Sequence, residues 1–293
     1  MTIQLSIRTV WTLSIPFLHN ETAMATKHIL PSRLFLLPAK NVPLVAVIRR
    51  KPSKCFHIML WNTLKNTLEH GSWFRGTLYP MRCDLSFDGK WMVYFAMTKP
   101  GIAWNGICHP PFLKTIAEDH QLDTVYGGGY WKDENTLLLN NWTQEMRDMP
   151  FQCEGFQTTS HPDCDLFVAR LLRDGFSRVG NYYGYRRKDL NASGYRVERI
   201  GDDGWQLQPS KKHPNLIVKY AGYLDRGHTY RYSLIGADGI LDDPVDAACW
   251  DSQGNLIFAR HDVLYCYSLS DLKHGIPGAI HDLSQLAANG GKR

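Results

Sequence analysis

The chain has 293 residues, 44% of them apolar, which is enough to bury a sizeable core and too apolar for a disordered chain. Its formal charge of +5 is scattered, with dense runs such as Arg186-Arg187-Lys188 and Lys211-Lys212 set apart in the chain. No nucleic-acid partner is expected, because such proteins gather their positive charge on one face.

At the N-terminus, Thr9 to Leu18 form a short apolar stretch after Arg8, and Ala23-Met24-Ala25 resembles a small-residue cleavage site. The stretch contains Pro16 and is too short to span a bilayer, and no other segment reaches that length, so no membrane partner is expected. Residues 1–23 are therefore read as an extension ahead of a start at Met24, with a weak secretory leader as the alternative. The seven cysteines (Cys55, Cys83, Cys108, Cys153, Cys164, Cys249 and Cys266) are odd in number and irregular in spacing, and several sit in apolar strand patterns. That suits small buried hydrophobes in a reducing compartment, so a cytoplasmic protein is expected; a cleaved leader would make it secreted or periplasmic.

From Arg33 onward, short strand-like runs follow one another with turns between them. They are Arg33–Leu37, Leu44–Ile48, Cys55–Trp61, Trp91–Met97, Ile102–Cys108, Tyr130–Trp131, Thr136–Leu139, Leu166–Leu172, Trp205–Leu207, Leu216–Tyr220, Tyr230–Ile235, Ala247–Trp250, Leu256–Ala259 and Val263–Tyr267. Helical turns are predicted only at Phe112–Asp119 and Asp282–Ala288. Nine Trp and fourteen Tyr favour strands.

One pattern recurs: a tight polar turn, then a run of strand formers. It stands at Leu85-Ser-Phe-Asp-Gly-Lys90 before Trp91–Phe95, at Lys132–Asn135 before Thr136–Leu139, and at Trp250-Asp-Ser-Gln-Gly-Asn255 before Leu256–Ala259. Weaker copies are Ala39–Val42 and Ser210–Asn215. Asn41 to Gly89 is 48 residues, Gly89 to Asn135 is 46, and Asn215 to Asn255 is 40, the period of a four-stranded propeller blade. Asn135 to Asn215 is 80, and the polar, turn-rich stretch Thr143–Asp163 reads as an insertion in the middle blade. The expectation is an all-β chain, with residues 24–293 a single β-propeller of five blades, a sixth frame being the alternative, and an insertion around 143–164. Residues 33–39 are open to a second reading, as the strand completing the last blade.

Leu85-Ser-Phe-Asp-Gly-Lys-Trp-Met-Val-Tyr94 resembles the repeat of TolB-like and WD40-like propellers, in which a Ser-Pro-Asp-Gly turn joins the first two strands of a blade. Phe87 stands where that pattern has Pro, and Trp250–Phe258 is a looser copy. The resemblance implies architecture only, since such propellers bind proteins, peptides or sugars and some are enzymes.

Candidate site residues follow from the inner strands. Arg82 and Asp84 flank Cys83, as a ligand site or as an internal ion pair, and Asp246 occupies the equivalent strand of the last blade. Two channel carboxylates at about 5–10 Å are what a glycosidase needs, so Asp84 and Asp246 are the candidate acid and base of that reading. The competing reading is a binding or scaffolding module presenting Arg82, Asp84, Trp104, Asn105, Trp131, Asn141 and Trp142 to a protein or small polar ligand. Glu69–Gly76 reads as a turn with a buried Trp73, or as a loop offering Trp73 and Arg75. Tyr126-Gly127-Gly128-Gly129 does not open a helix and is no phosphate loop. Cys153, His161, Asp163 and Cys164 fall within twelve residues, but ten residues separate the sulfurs, against two to four in structural zinc sites, and no metal is expected. No motif points to a cofactor, and none is expected.

Overall fold

The computed structural model describes residues 32–286, apart from 53, 100, 122–125, 143–145, 147, 159–160, 180–185, 191–193, 199–203, 208–214, 225–226 and 236–238. The readings placed on residues 1–31, the Met24 start included, and most of the Ser210–Asn215 copy lie outside the described residues.

The described residues form five sheets in chain order and one ribbon. The first is a meander of β1 (Arg33–Pro38), β2 (Leu44–Lys51), β3 (Cys55–Asn62) and β4 (Thr67–Arg75). The second holds β5 (Thr77–Leu78), β6 (Asp84–Leu85), β7 (Met92–Lys99), β8 (Ile102–Cys108) and β9 (Ala117–Gln121), with β5 and β6 both on β7. The third is β10 (Gly129–Trp131), β11 (Thr136–Asn140) and β12 (Gln152–Phe156), the last pair parallel. Helix α1 (Pro162–Arg173) leads to β13 (Phe176–Val179) and the ribbon β14 (Arg186–Leu190) with β15 (Gly194–Glu198). The fourth sheet joins β13 to β16 (Gly204–Leu207), β17 (Asn215–Leu224) and β18 (Gly227–Ile235). The fifth is β19 (Ala247–Trp250), β20 (Leu256–Arg260), β21 (Val263–Tyr267) and β22 (Ala279–Asp282), with α2 (Leu269–His274) inserted.

Strands buried on both faces explain the unbroken apolar runs. In β2, successive side chains point to opposite faces. Ala46 and Ile48 pack with Leu85, Met92 and Tyr94 of the second sheet. Val45 and Val47 pack with Ile257, Ala259 and Leu264 of the fifth. Val93 and Ile107 carry the other face of the second sheet onto Trp131, Leu137 and Leu139 of the third. Leu216 and Val218 of the fourth meet Leu256 and Phe258 of the fifth. Helix α1 spans the remaining gap: Leu171 joins the fourth-sheet core, and Leu166 lies against Gly128 at the start of the third.

The recurring turn does one job. It joins the first two strands of the first, third and fifth sheets, and β6 to β7 in the second. In the second sheet Ser86 Oγ donates to Asp88 Oδ1 (2.7 Å) and accepts from the Trp91 amide (2.9 Å), and Gly89 turns at φ +72°. In the fifth, Asp251 accepts from the amides of Gln253 (2.9 Å) and Asn255 (2.8 Å), and Gly254 turns at φ +77°. Short polar side chains close such turns, and glycine takes the left-handed position at no steric cost.

Four expectations are corrected. Arg33–Pro38 pair with β2 of their own sheet, and the fifth sheet has its own four strands. Thr143–Asp163 supplies β12 and the first turn of α1; a polar edge strand, Gln-Cys-Glu-Gly-Phe, has no buried face to reveal itself by alternation. Leu166–Leu172 is helix, started by Pro162 at its first turn with Asp163 and Asp165, and ended by Arg170 and Arg173, charges that suit the two ends of a helix dipole. Ala117–Gln121 is a strand, because pairing with β8 outweighs local propensity. Helix α2 carries a capping box at Ser268 and Asp271 and a left-handed Gly275, signals the sequence does contain.

Candidate functional site

Beneath the first, second and fifth sheets lies a cavity of about 60 Å³. Its wall comes from β1, the turn at Pro80–Met81, Asp84 of β6, α1, Tyr230 and Tyr232 of β18, and the start of β19 with Asp246. A volume of this size admits a few waters and no sugar ring.

Helix α1 supplies Arg170 and Arg173 of the wall's charged side chains. Its length separates Asp163 in the first turn from Arg173 in the last by roughly 15 Å at 1.5 Å per residue. At one end Arg82 Nε donates to Asp163 Oδ1 (2.6 Å), and the guanidinium lies over Tyr79 (4.8 Å) and Phe95 (5.3 Å). In the middle Arg170 donates Nη1 to the Cys83 carbonyl (2.6 Å) and Nη2 to the Met81 carbonyl (3.2 Å). At the other end Arg173 pairs with Asp84 and with Asp174 Oδ1 (2.8 Å) and donates to the Trp131 carbonyl (2.8 Å). Asp174 also holds Lys40 at 2.6 Å. Three arginines thus tie the helix to backbone and carboxylates of two sheets, which satisfies buried charges that would otherwise be costly.

The expected site residues separate in space. Asp84 is 1% exposed; its carboxylate accepts from the Trp131 amide (2.8 Å) and pairs with Arg173, not with Arg82. Asp246 is on the far wall and accepts from the Leu34 amide (3.1 Å), and burial pushes its carboxyl above the usual range. Asn105 is fully buried and links Asp119 (3.0 Å) to the Gly128 amide (2.6 Å), so it is a tie between the second and third sheets. Trp131 is buried in the core between those sheets. Trp104 packs in the core between the first and second sheets and donates to Tyr94 (3.3 Å). Trp142 packs on the third sheet, and Asn141 follows β11 at φ +57° with its amide on the Phe156 carbonyl (2.9 Å). Only Asp84 and Asp246 of the nominated residues line the cavity. Trp73 is on the edge strand β4, stacked on His57 at 4.1 Å. Among the described residues no cluster of three or more His, Cys, Asp or Glu could hold a metal ion.

Sequence reasoning missed Arg170, Arg173 and Asp174. The available signal was Arg170 and Arg173 three residues apart in an apolar run, a helical spacing with charge in the last turn.

No protein-family model matches the chain, and no curated protein matches it. Solved structures do. An uncharacterized protein, lmo1340, from Listeria monocytogenes EGD-e is 9% identical over 87% of this chain and 97% of its own, with a TM-score of 0.38. The β-propeller domain of the Trilobed protease from Pyrococcus furiosus is 14% identical over 86% and 85%, at 0.31. The Pyrococcus horikoshii acylaminoacyl peptidase is 12% identical over 85% of this chain and 45% of its own, at 0.31.

Proposed function

We propose that the chain is a five-bladed β-propeller that acts as a cytoplasmic binding or scaffolding module for a protein partner, with its contacts on the outer surface. Five sheets, of which the first and second, second and third, fourth and fifth, and fifth and first share a core, and of which four carry the same turn between two successive strands, support the architecture. The observation that carries the functional reading is the state of Asp84: buried, neutralised by Arg173 and capped by a backbone amide, it is unavailable to a substrate. The cavity beside it is too small for a glycoside. Seven cysteines without a disulfide support a reducing compartment. Among the described residues no helix is long and apolar enough to cross a membrane.

The test pairs an activity screen with a binding assay on the full chain. A panel of nitrophenyl glycosides should give no turnover above the Asp246→Asn variant. Tagged protein, cross-linked in cells, should retain a partner in stoichiometric amount. Turnover that Asp246→Asn abolishes without lowering the melting temperature would replace the binding reading with the enzymatic one.

A further inference from the structure

The cavity wall carries guanidinium donors that its own hydrogen bonds leave unspent. Six charged side chains line it: Arg33, Arg170 and Arg173 against Asp84, Asp174 and Asp246. Arg173 is committed to Asp84 and Asp174, and Asp174 to Lys40 as well. Asp246 accepts from the Leu34 amide; burial raises its carboxyl, and it acts on Arg33 through space without a hydrogen bond to it. Arg33 and Arg170 have no carboxylate within 4 Å among the described residues. Arg33 makes a single hydrogen bond there, from Nη2 to the His228 carbonyl at 3.1 Å. Arg170 spends Nη1 and Nη2 on two carbonyls, and its buried Nε has no partner. A guanidinium carries five N–H donors, so most of those on Arg33 are unspent. Tyr232 completes the set: it lines the same wall, feels both Arg33 and Arg170, and burial keeps its hydroxyl protonated and therefore a donor.

We propose that this cavity binds one small oxyanion, a carboxylate or phosphate, between the guanidinium groups of Arg33 and Arg170 with the Tyr232 hydroxyl as a further donor. Charge-assisted bonds from arginine are the strong ones for such groups, and burial strengthens them. The free volume of about 60 Å³ suits an ion of a few heavy atoms. A second pocket of about 170 Å³, lined by Lys40, Trp250, Asp251 and Ser252, shares Asp174 and Cys249 with the cavity. The inference does not depend on the protein-binding reading.

The experiment follows the melting temperature of the full chain in sodium phosphate and in sodium acetate, against sodium chloride at equal ionic strength, with calorimetric titration of whichever oxyanion stabilises. The expected result is a saturable rise with at least one oxyanion beyond that in chloride. Tyr232→Phe should weaken the affinity about tenfold, the loss of one bond to a charged group. Arg33→Gln should abolish the saturable rise, and it keeps a donor for the His228 carbonyl so that the fold survives. Arg170→Met should do the same if it folds; where it does not, the other two variants decide. A rise no larger than in chloride, or one unchanged in both Arg33→Gln and Tyr232→Phe, would overturn the proposal.

Discussion

The junction between the first and fifth sheets contains no shared strand, so it depends on side chains. Its polar centre is Arg49 on β2, 1% exposed, which donates to both oxygens of Asp262 at 2.8 and 2.9 Å and to the Leu286 carbonyl at 2.9 Å. Asp262 sits in the turn between β20 and β21 at φ +67°. Asp262→Asn removes the charge while keeping a residue that tolerates this conformation. The variant leaves a buried guanidinium with no counter-charge and with an amide NH2 in place of one of its two carboxylate acceptors. Coulomb's law gives about 4 kcal/mol for a pair near 4 Å at an effective dielectric of 20. Measured losses on breaking buried pairs are about 3–5 kcal/mol. Asp262 keeps 18% exposure, so the lower end applies and about 3 kcal/mol is expected. At roughly 2–4 °C per kcal/mol for a domain of this size, the melting temperature should fall by about 6–12 °C. Arg49→Met should cost less, because the stranded carboxylate reaches water. The double variant should resemble Arg49→Met alone, a coupling of at least about 1.5 kcal/mol. The assay is urea unfolding of all four proteins with the slope checked for constancy. A single Asp262→Asn cost under about 0.5 kcal/mol, or additive effects in the double variant, would refute the reasoning.

Three further outcomes are expected. His57 is buried between Trp73 (4.1 Å) and His70 (5.2 Å) with neither ring nitrogen bonded, and burial, His70 and Arg49 push it down to about 4. The unfolded chain takes up a proton below about 6.5 and the folded one only near 4, so stability is lost as pH falls through that window, by up to about 3 kcal/mol. His57→Phe should remove that loss, and an advantage of the variant that does not grow between pH 6.5 and 4 would contradict it. Gly89→Ala should cost about 1–3 kcal/mol more than Gly101→Ala in chemical denaturation, since both have positive φ but only at Gly89 would the added carbon meet Leu44, at 2.8 Å. Equal costs at the two positions would remove the packing argument. Asp84→Asn should lower stability by about 2–4 kcal/mol, because Arg173 loses a buried counter-charge and faces an amide NH2 in place of one carboxylate oxygen; a change below about 0.5 kcal/mol in urea would show that the pair is not holding α1.

The sheets were legible because each signal was local and doubled. In Ser86–Trp91 one stretch carries a side-chain-closed turn, a glycine that needs the left-handed region, and the apolar run it feeds. Among the described residues those turns mark four of the five sheets, and their period breaks between the third and the fifth. Helix α1 was less legible because Leu166-Phe-Val-Ala-Arg-Leu-Leu172 satisfies a buried strand and a buried helix alike, and only Pro162 and the end charges separate the two. β12 was hidden for the opposite reason, being an edge with no face to bury.

The cavity was hardest to foresee, because its parts are separated by up to about two hundred residues and each looks ordinary alone. Arg82 and Asp84, two residues apart, invite pairing with each other. Arg82 ends the 3-10 turn Pro80–Arg82 whereas Asp84 opens β6, and α1 brings Asp163 to the first and Arg173 to the second. The partner of each charge is therefore set by the helix, whose first turn presents Asp163 to Arg82 and whose last turn presents Arg173 to Asp84. This geometry commits Asp163, Asp84 and Asp174, and Arg33 and Arg170 have no carboxylate within 4 Å among the described residues. The same contacts that remove Asp84 from catalysis create the excess of donors that a small anion would answer.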